Sequence, residues 1–247
     1  MRPTKEGLLV GGIGDITSIS CPLLEAEQDF FLRRRLAPNS FYTRHVTTTA
    51  PRRLGILGGT FDPPHAGHLA AALAVQTQVG LDDVVLMVAN EPWQKVGDRQ
   101  VTPARVRFEM TDALVQGISG LWADDREIRR GGPTYTVDTL EEILADQPGT
   151  EIFLIVGADT AQRLETWHRA SDVVRLSTIV IVNRDDSTNA APGFLRDARV
   201  VNVSMNPVDV SSSAIREAVA RGESIDSVTS ASVVSIIRDR SLYVGTQ

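Results

Sequence analysis

Leu54-Gly55-Ile56-Leu57-Gly58-Gly59-Thr60-Phe61-Asp62-Pro63-Pro64-His65-Ala66-Gly67-His68 is the stretch whose reading decides the fold. A short apolar run ends in paired glycines, two prolines stiffen the turn, and a helix-length segment opens near Gly67. Strand, glycine turn and helix in that order begin an α/β unit. Gly58 and Gly59 let the backbone pass close to a ligand at the carboxyl end of the strand. The unpaired N–H groups of the helix start favour an anion. The string is neither the lysine-bearing GxxxxGK[ST] phosphate loop nor the GxGxxG dinucleotide fingerprint. His65 and His68 lie three apart, which at a helix start brings both imidazoles to one side. There they can donate hydrogen bonds to phosphate oxygens and stabilise charge that builds up in transfer. The plainer alternative is that His65 caps the turn and His68 packs under the sheet.

Working outward, residues 84–88, 152–156 and 179–182 are further apolar runs rich in β-branched side chains, and 200–203 offers a fifth. Uninterrupted runs of this kind suit strands buried on both faces of a parallel sheet. Between them, residues 67–79, 103–115, 136–144 and 159–176 are of helix length, with 212–220 and 231–239 as closing helices. Strand–helix alternation predicts an α/β fold: a doubly wound, Rossmann-like parallel sheet with helices on both faces and right-handed crossovers. The polar stretch 185–193 reads as a surface loop.

The 247 residues carry a net charge of −6, are 42% hydrophobic and include one cysteine, Cys21. That composition is globular, and one cysteine builds neither an internal disulfide nor a multi-cysteine zinc site. No run approaches the ~18 apolar residues of a membrane span. Residues 1–50 lack the long apolar region of a secretory signal and read as a poorly ordered extension or a misassigned start. Residues 51–247, with a net charge of −7, then form one domain. An acidic total argues against a broad nucleic-acid surface and leaves room for a local anion site. A cytoplasmic protein is the expectation. Its oligomeric state is left open, a homo-oligomer included. Only two of the 25 basic residues are lysines, Lys5 and Lys95.

Other segments carry candidate chemistry. Val210-Ser211-Ser212-Ser213-Ala214-Ile215-Arg216 places three hydroxyls at a helix start with a guanidinium one turn in. One serine is explained by capping, and the whole would also cradle a polyphosphate. Val156-Gly157-Ala158-Asp159 ends a strand on an acidic residue that either caps a helix or holds ribose hydroxyls. Trp167-His168 reads as core or as a ring-stacking site, and Lys95 as a solvated side chain or a phosphate ligand.

The string from Gly58 to His68 closely resembles the HxGH signature of the nucleotidyltransferase superfamily, and specifically that of bacterial nicotinate-nucleotide adenylyltransferases. The likeness runs from about residue 52 to 243, with separated motifs in the expected order. It implies that His65 and the turn Gly58-Gly59-Thr60-Phe61 hold nucleotide phosphates, and that His68 stabilises the transferred α-phosphate. Ser211, Ser212, Ser213 and Arg216 match the ISSTxIR motif that grips the β- and γ-phosphates, with Ser213 in place of threonine. Gly157 and Asp159 match GxD, implicated in ribose binding, and Arg184 matches an arginine flanking adenine, although Asp185-Asp186 replaces the usual Pro-Gly. Gly132-Pro133-Thr134-Tyr135-Thr136 and Leu164-Glu165-Thr166-Trp167-His168 resemble the GPSYTxDTL and LxxWxxxxxL segments. By that likeness Trp167 stacks on the pyridine ring, while backbone amides at Thr136 and His168 receive its carboxylate. Pro92-Trp93-Gln94-Lys95 stands where relatives carry Pro-Pro-His-Lys over the phosphates.

The resemblance implies a transferase joining ATP and nicotinate mononucleotide, in NAD biosynthesis, to give nicotinate adenine dinucleotide and pyrophosphate. It further implies no protein metal ligand and magnesium held mainly by substrate phosphates and water. It implies neither a nucleic-acid polymer nor a membrane as partner. Phosphopantetheine or nicotinamide mononucleotide as acceptor, and a nucleotide-binding module without catalysis, are the competing readings.

Overall fold

The computed structural model describes residues 51–91, 101–183 and 192–245. The expectations for residues 1–50, and for Lys95 and Arg184, lie outside the described residues. Six strands form one sheet in the order β3-β2-β1-β4-β5-β6. They are β1 (Arg53–Gly59), β2 (Asp83–Val88), β3 (Leu121–Asp124), β4 (Glu151–Gly157), β5 (Thr178–Asn183) and β6 (Val200–Ser204). Every neighbouring pair is parallel. Among the described residues the α-helices are α1 (Ala66–Val79), α2 (Ala104–Val115), α3 (Arg126–Arg130), α4 (Thr136–Asp146), α5 (Ala158–Ala161), α6 (Ala170–Leu176), α7 (Ser212–Ala220) and α8 (Ala231–Asp239).

Alternation along the strands explains why helices cover both faces. Leu54, Ile56, Val85, Met87, Ile152, Leu154, Val156, Ile179 and Ile181 bury on one side, beneath Val137, Leu140 and Ile143 of α4 and Val173 of α6. Val84, Leu86, Val88, Phe153, Ile155, Val180 and Val182 bury on the other, beneath Ala72 and Val75 of α1. Side chains of this size each contribute about 1.5–3 kcal/mol when taken out of water. With both residue parities committed, a one-residue slip would exchange the two cores without relieving either. A third cluster joins Met110 and Leu114 of α2 to Ile215 of α7 and to Val233, Val234 and Ile237 of α8.

The doubly wound parallel sheet is as the sequence implies, with two departures. Strand β3 has no counterpart in the apolar runs. It has four residues at the sheet edge, and only Leu121 among them is buried. Such a strand shows neither a continuous apolar run nor clean alternation. The helix expected over residues 159–176 is instead α5, a 3-10 turn (Leu164–Thr166) and α6. Arg169 breaks it by taking φ 51°, ψ 44° immediately before α6. That interruption carries Trp167 and His168.

Winding reverses between β1 and β4, which lie side by side although β2 and β3 intervene in sequence. Ligands of open α/β sheets bind outside the carboxyl ends of strands at such a switch point. Here β1 ends in Gly58-Gly59 and β4 ends in Gly157.

Candidate active site

The turn from β1 to α1 is built around rings. Gly59 has no room for a side chain, because a Cβ there would stand 2.8 Å from the Phe61 ring. Phe61 is fully buried in a left-handed backbone conformation, φ 50°. For an L-residue that conformation costs roughly 1–2 kcal/mol, and it sets the ring edge-on to His68 at 4.9 Å. His65 is the N-cap of α1, and its ring lies 3.8 Å from that of His68, centroid to centroid. Gly67 is the residue that permits this, since a Cβ there would meet the His65 ring at 3.1 Å and Val210 at 3.2 Å. The two imidazoles therefore share one side of the helix start, as their spacing implies. His68 Nδ1 accepts the His65 backbone N–H at 3.2 Å. With Nδ1 accepting, the neutral ring carries its proton on Nε2, which is then a donor.

The carboxyl-terminal helices lock this turn. Ser211 caps α7, its Oγ accepting from Ala214 N at 3.1 Å. Ser212 Oγ donates to the Pro63 carbonyl at 2.8 Å. Arg216 Nη1 donates to the Asp62 carbonyl at 2.8 Å, and Nη2 donates to Ser213 Oγ at 2.9 Å. The capping explanation thus accounts for Ser211, while the rest of the motif faces the β1–α1 turn. Thr229 Oγ1 donates to the Pro64 carbonyl at 3.0 Å, and Ala66 N to the Val228 carbonyl at 2.9 Å. The Asp62 carboxylate is buried and accepts from Tyr243 Oη at 2.6 Å. Burial, and then the carboxylate beside it, push the Tyr243 hydroxyl above its ordinary range, so it stays a donor.

Among the described residues, the buried charged side chains outside the motifs include Arg107 and Glu127. Arg107, 1% exposed, projects from α2 into three carbonyls. Its Nε donates to Thr102 at 2.8 Å, Nη1 to Thr60 at 2.8 Å and Nη2 to Asn90 at 2.9 Å. One planar guanidinium thereby fixes the β1–α1 turn and the exit of β2 together. A signal was present, for Arg107 shares a helical stripe with buried Met110, Thr111 and Leu114. Glu127 of α3, 5% exposed, accepts from Thr139 Oγ1 at 2.7 Å. Burial pushes its carboxyl up to about 7. No local pattern marks it.

The remaining candidates fall into two places. Gly157 extends β4 and precedes α5, whose first turn holds Asp159, beside the carboxyl end of β1. Thr136 opens α4 after Gly131 and Gly132, with φ 73° and 67°. The Tyr135 ring lies 4.4 Å from that of His168. Arg169 Nη2 and Nη1 donate to Glu141 of α4 at 2.6 and 3.1 Å. The structure therefore brings residues 131–136 and 164–168 together. Trp167 is half-buried, packs against the core under α4, and has its Nε1 buried without a hydrogen-bond partner.

This chain matches the Cytidylyltransferase-like family over residues 56–218. A probable nicotinate-nucleotide adenylyltransferase of Dehalococcoides mccartyi (strain ATCC BAA-2266 / KCTC 15142 / 195) is 36% identical over 200 residues, covering 77% of this chain and 97% of the relative. One of the same name from Frankia casuarinae is 39% identical over 189 residues, covering 76% and 99%. The chain belongs to the nicotinate-nucleotide adenylyltransferase family. Among solved structures, Plasmodium falciparum nicotinic acid mononucleotide adenylyltransferase complexed with NaAD aligns with a TM-score of 0.65 at 16% identity, covering 78% of this chain and 97% of that one. At that identity the likeness speaks for the fold alone. Among the described residues no helix is long and apolar enough to cross a membrane.

Proposed function

We propose that this chain transfers the adenylyl group of ATP to nicotinate mononucleotide, releasing pyrophosphate. The observation that carries the reading is the joining of two donor-rich helix starts, α1 and α7, at the switch point of the sheet through Arg216, Ser212 and the Asp62–Pro63 carbonyls. Neither helix start alone specifies a triphosphate. Together they offer backbone N–H groups, two imidazoles, hydroxyls and a guanidinium to one polyanion.

In this reading an oxygen of the acceptor phosphate attacks the α-phosphorus of ATP. The bond from that phosphorus to the bridging oxygen breaks, and pyrophosphate leaves with the electron pair. No covalent protein intermediate is needed, so catalysis is positioning plus stabilisation of charge on phosphate oxygens. His68 Nε2–H serves the α-phosphate, and His65 with Gly58, Gly59, Thr60 and Phe61 holds the triphosphate near α1. Arg216, Ser211, Ser212 and Ser213 take the β- and γ-phosphates. Asp159 beside Gly157 takes the ribose, and Arg184 flanks the adenine. Thr136, Trp167 and His168 receive the pyridine ring and its carboxylate, with Lys95 over the phosphates. Among the described residues no group of three or more His, Cys, Asp or Glu side chains is placed to hold a metal ion. Magnesium would be held by substrate phosphates and water rather than by these side chains, and would supply charge neutralisation there.

Pyrophosphate release measured with ATP and, in parallel, nicotinate mononucleotide, nicotinamide mononucleotide and phosphopantetheine tests the reading. The highest kcat/KM is expected with nicotinate mononucleotide. Preference for phosphopantetheine overturns the acceptor, and ATP binding without pyrophosphate release with all three overturns catalysis.

A further inference from the structure

Glu127 is a buried carboxyl that adenylyl transfer itself does not employ. A carboxylate so placed must be hydrogen-bonded, and its partner is a hydroxyl just past the acceptor segment. Thr139, within the first turns of α4, donates to Glu127 Oε1 at 2.7 Å. From the opposite side Asn90 N donates to Thr134 Oγ1 at 3.0 Å, and Asn90 Nδ2 to the Gly132 carbonyl at 2.9 Å. Arg130 Nη2 donates to Thr139 Oγ1 at 3.1 Å, while Nη1 pairs with Glu142 at 2.8 Å. Gly131 and Gly132 are left-handed and lend the segment no stiffness of their own. Its rigidity comes from the Asn90 bonds on one flank and the Glu127–Thr139 bond on the other.

We propose that Glu127 is the positioning residue of the acceptor segment, holding the N–H groups at the start of α4 in the one arrangement that prefers a pyridine carboxylate to a carboxamide. This rests on the function proposed above and deepens it. A row of N–H donors suits a carboxylate, which only accepts, and opposes a carboxamide, which brings donors of its own. Discrimination of that kind lasts only while the donors are unable to turn away. Glu127 acts through Thr139.

The test compares wild type with Glu127→Ala, Thr139→Val and Thr139→Ser in steady-state kinetics with both mononucleotides, after circular dichroism confirms folding. For Glu127→Ala and Thr139→Val, KM for nicotinate mononucleotide is expected to rise about tenfold while KM for ATP and kcat stay within about twofold. The preference for nicotinate over nicotinamide mononucleotide should fall about tenfold in both. Thr139→Ser, which keeps the hydroxyl, should restore the wild-type preference. Should Glu127→Ala not fold, Thr139→Val carries the same measurement. An unchanged preference in a folded variant, or KM for ATP rising in step with that for the acceptor, overturns the assignment alone. A wild type that does not use nicotinate mononucleotide overturns the function first and this assignment with it.

Discussion

Around residues 60–68 and around residues 131–136 the chain meets the same demand, to present backbone and side-chain donors at fixed points, by different means. The first region is clasped by partners 149 to 181 residues away: Ser212, Arg216, Thr229 and Tyr243 each reach a carbonyl or carboxylate in the turn. The second hangs from neighbours within 44 residues, through Asn90, Glu127 and Arg130, and is flanked by the exposed Arg169–Glu141 pair. Long-range bonds, buried or part-buried, tie the proposed phosphate side to the core, so disturbing them disturbs the fold. Local bonds hold the proposed acceptor side through near neighbours, so they can be altered with less consequence for the core. Arg107 touches the first at Thr60 and also holds Asn90, which supports the second.

Three substitutions press on that contrast in decreasing order. Arg107→Met strips donors from three carbonyls, one in the first region at Thr60 and one at Asn90, which supports the second. It should lower unfolding free energy by about 3–5 kcal/mol, read by urea denaturation, because a buried charged partner is removed from groups that cannot reach water. A loss below about 1 kcal/mol would mean the two regions are held independently. His68→Ala should lower kcat by about 10²- to 10³-fold, equivalent to about 3–4 kcal/mol of transition-state stabilisation, with thermal stability little changed. Near-normal turnover by the folded variant removes His68 from catalysis. Arg169→Ala tests the exposed flank, and the urea midpoint should barely move, less still at high salt. A clear downward shift would show that the acceptor side is as tightly tied as the phosphate side.

What the sequence disclosed follows the same division. The four central strands were legible because each is buried on both faces and so apolar throughout. The histidine turn and the serine helix start were legible because their chemistry lies within a few consecutive residues. Edge strand β3 escaped because it is short and only its first residue is buried. The continuous helix over 159–176 was misread because its apolar spacing continues through a point where Arg169 reverses the backbone. Arg107, Glu127 and Tyr243 went unassigned for another reason. Each owes its role to partners far along the chain or across an element, and only Arg107 left a local trace, a charge on an apolar stripe.

The bond from Tyr243 to Asp62 spans 181 residues, and this separation has a consequence for synthesis. A ribosome delivers the glycine turn well before its clasp. While the chain is being made, strands β1 and β2 can already pair and α1 can already pack, for these contacts are near in sequence. The Asp62 carboxylate, meanwhile, waits in water, without the Tyr243 donor it has once buried. Completion of the proposed phosphate site therefore waits until residue 243 has been made. A chain halted at any point before residue 243 carries the two histidines and lacks the frame that aims them.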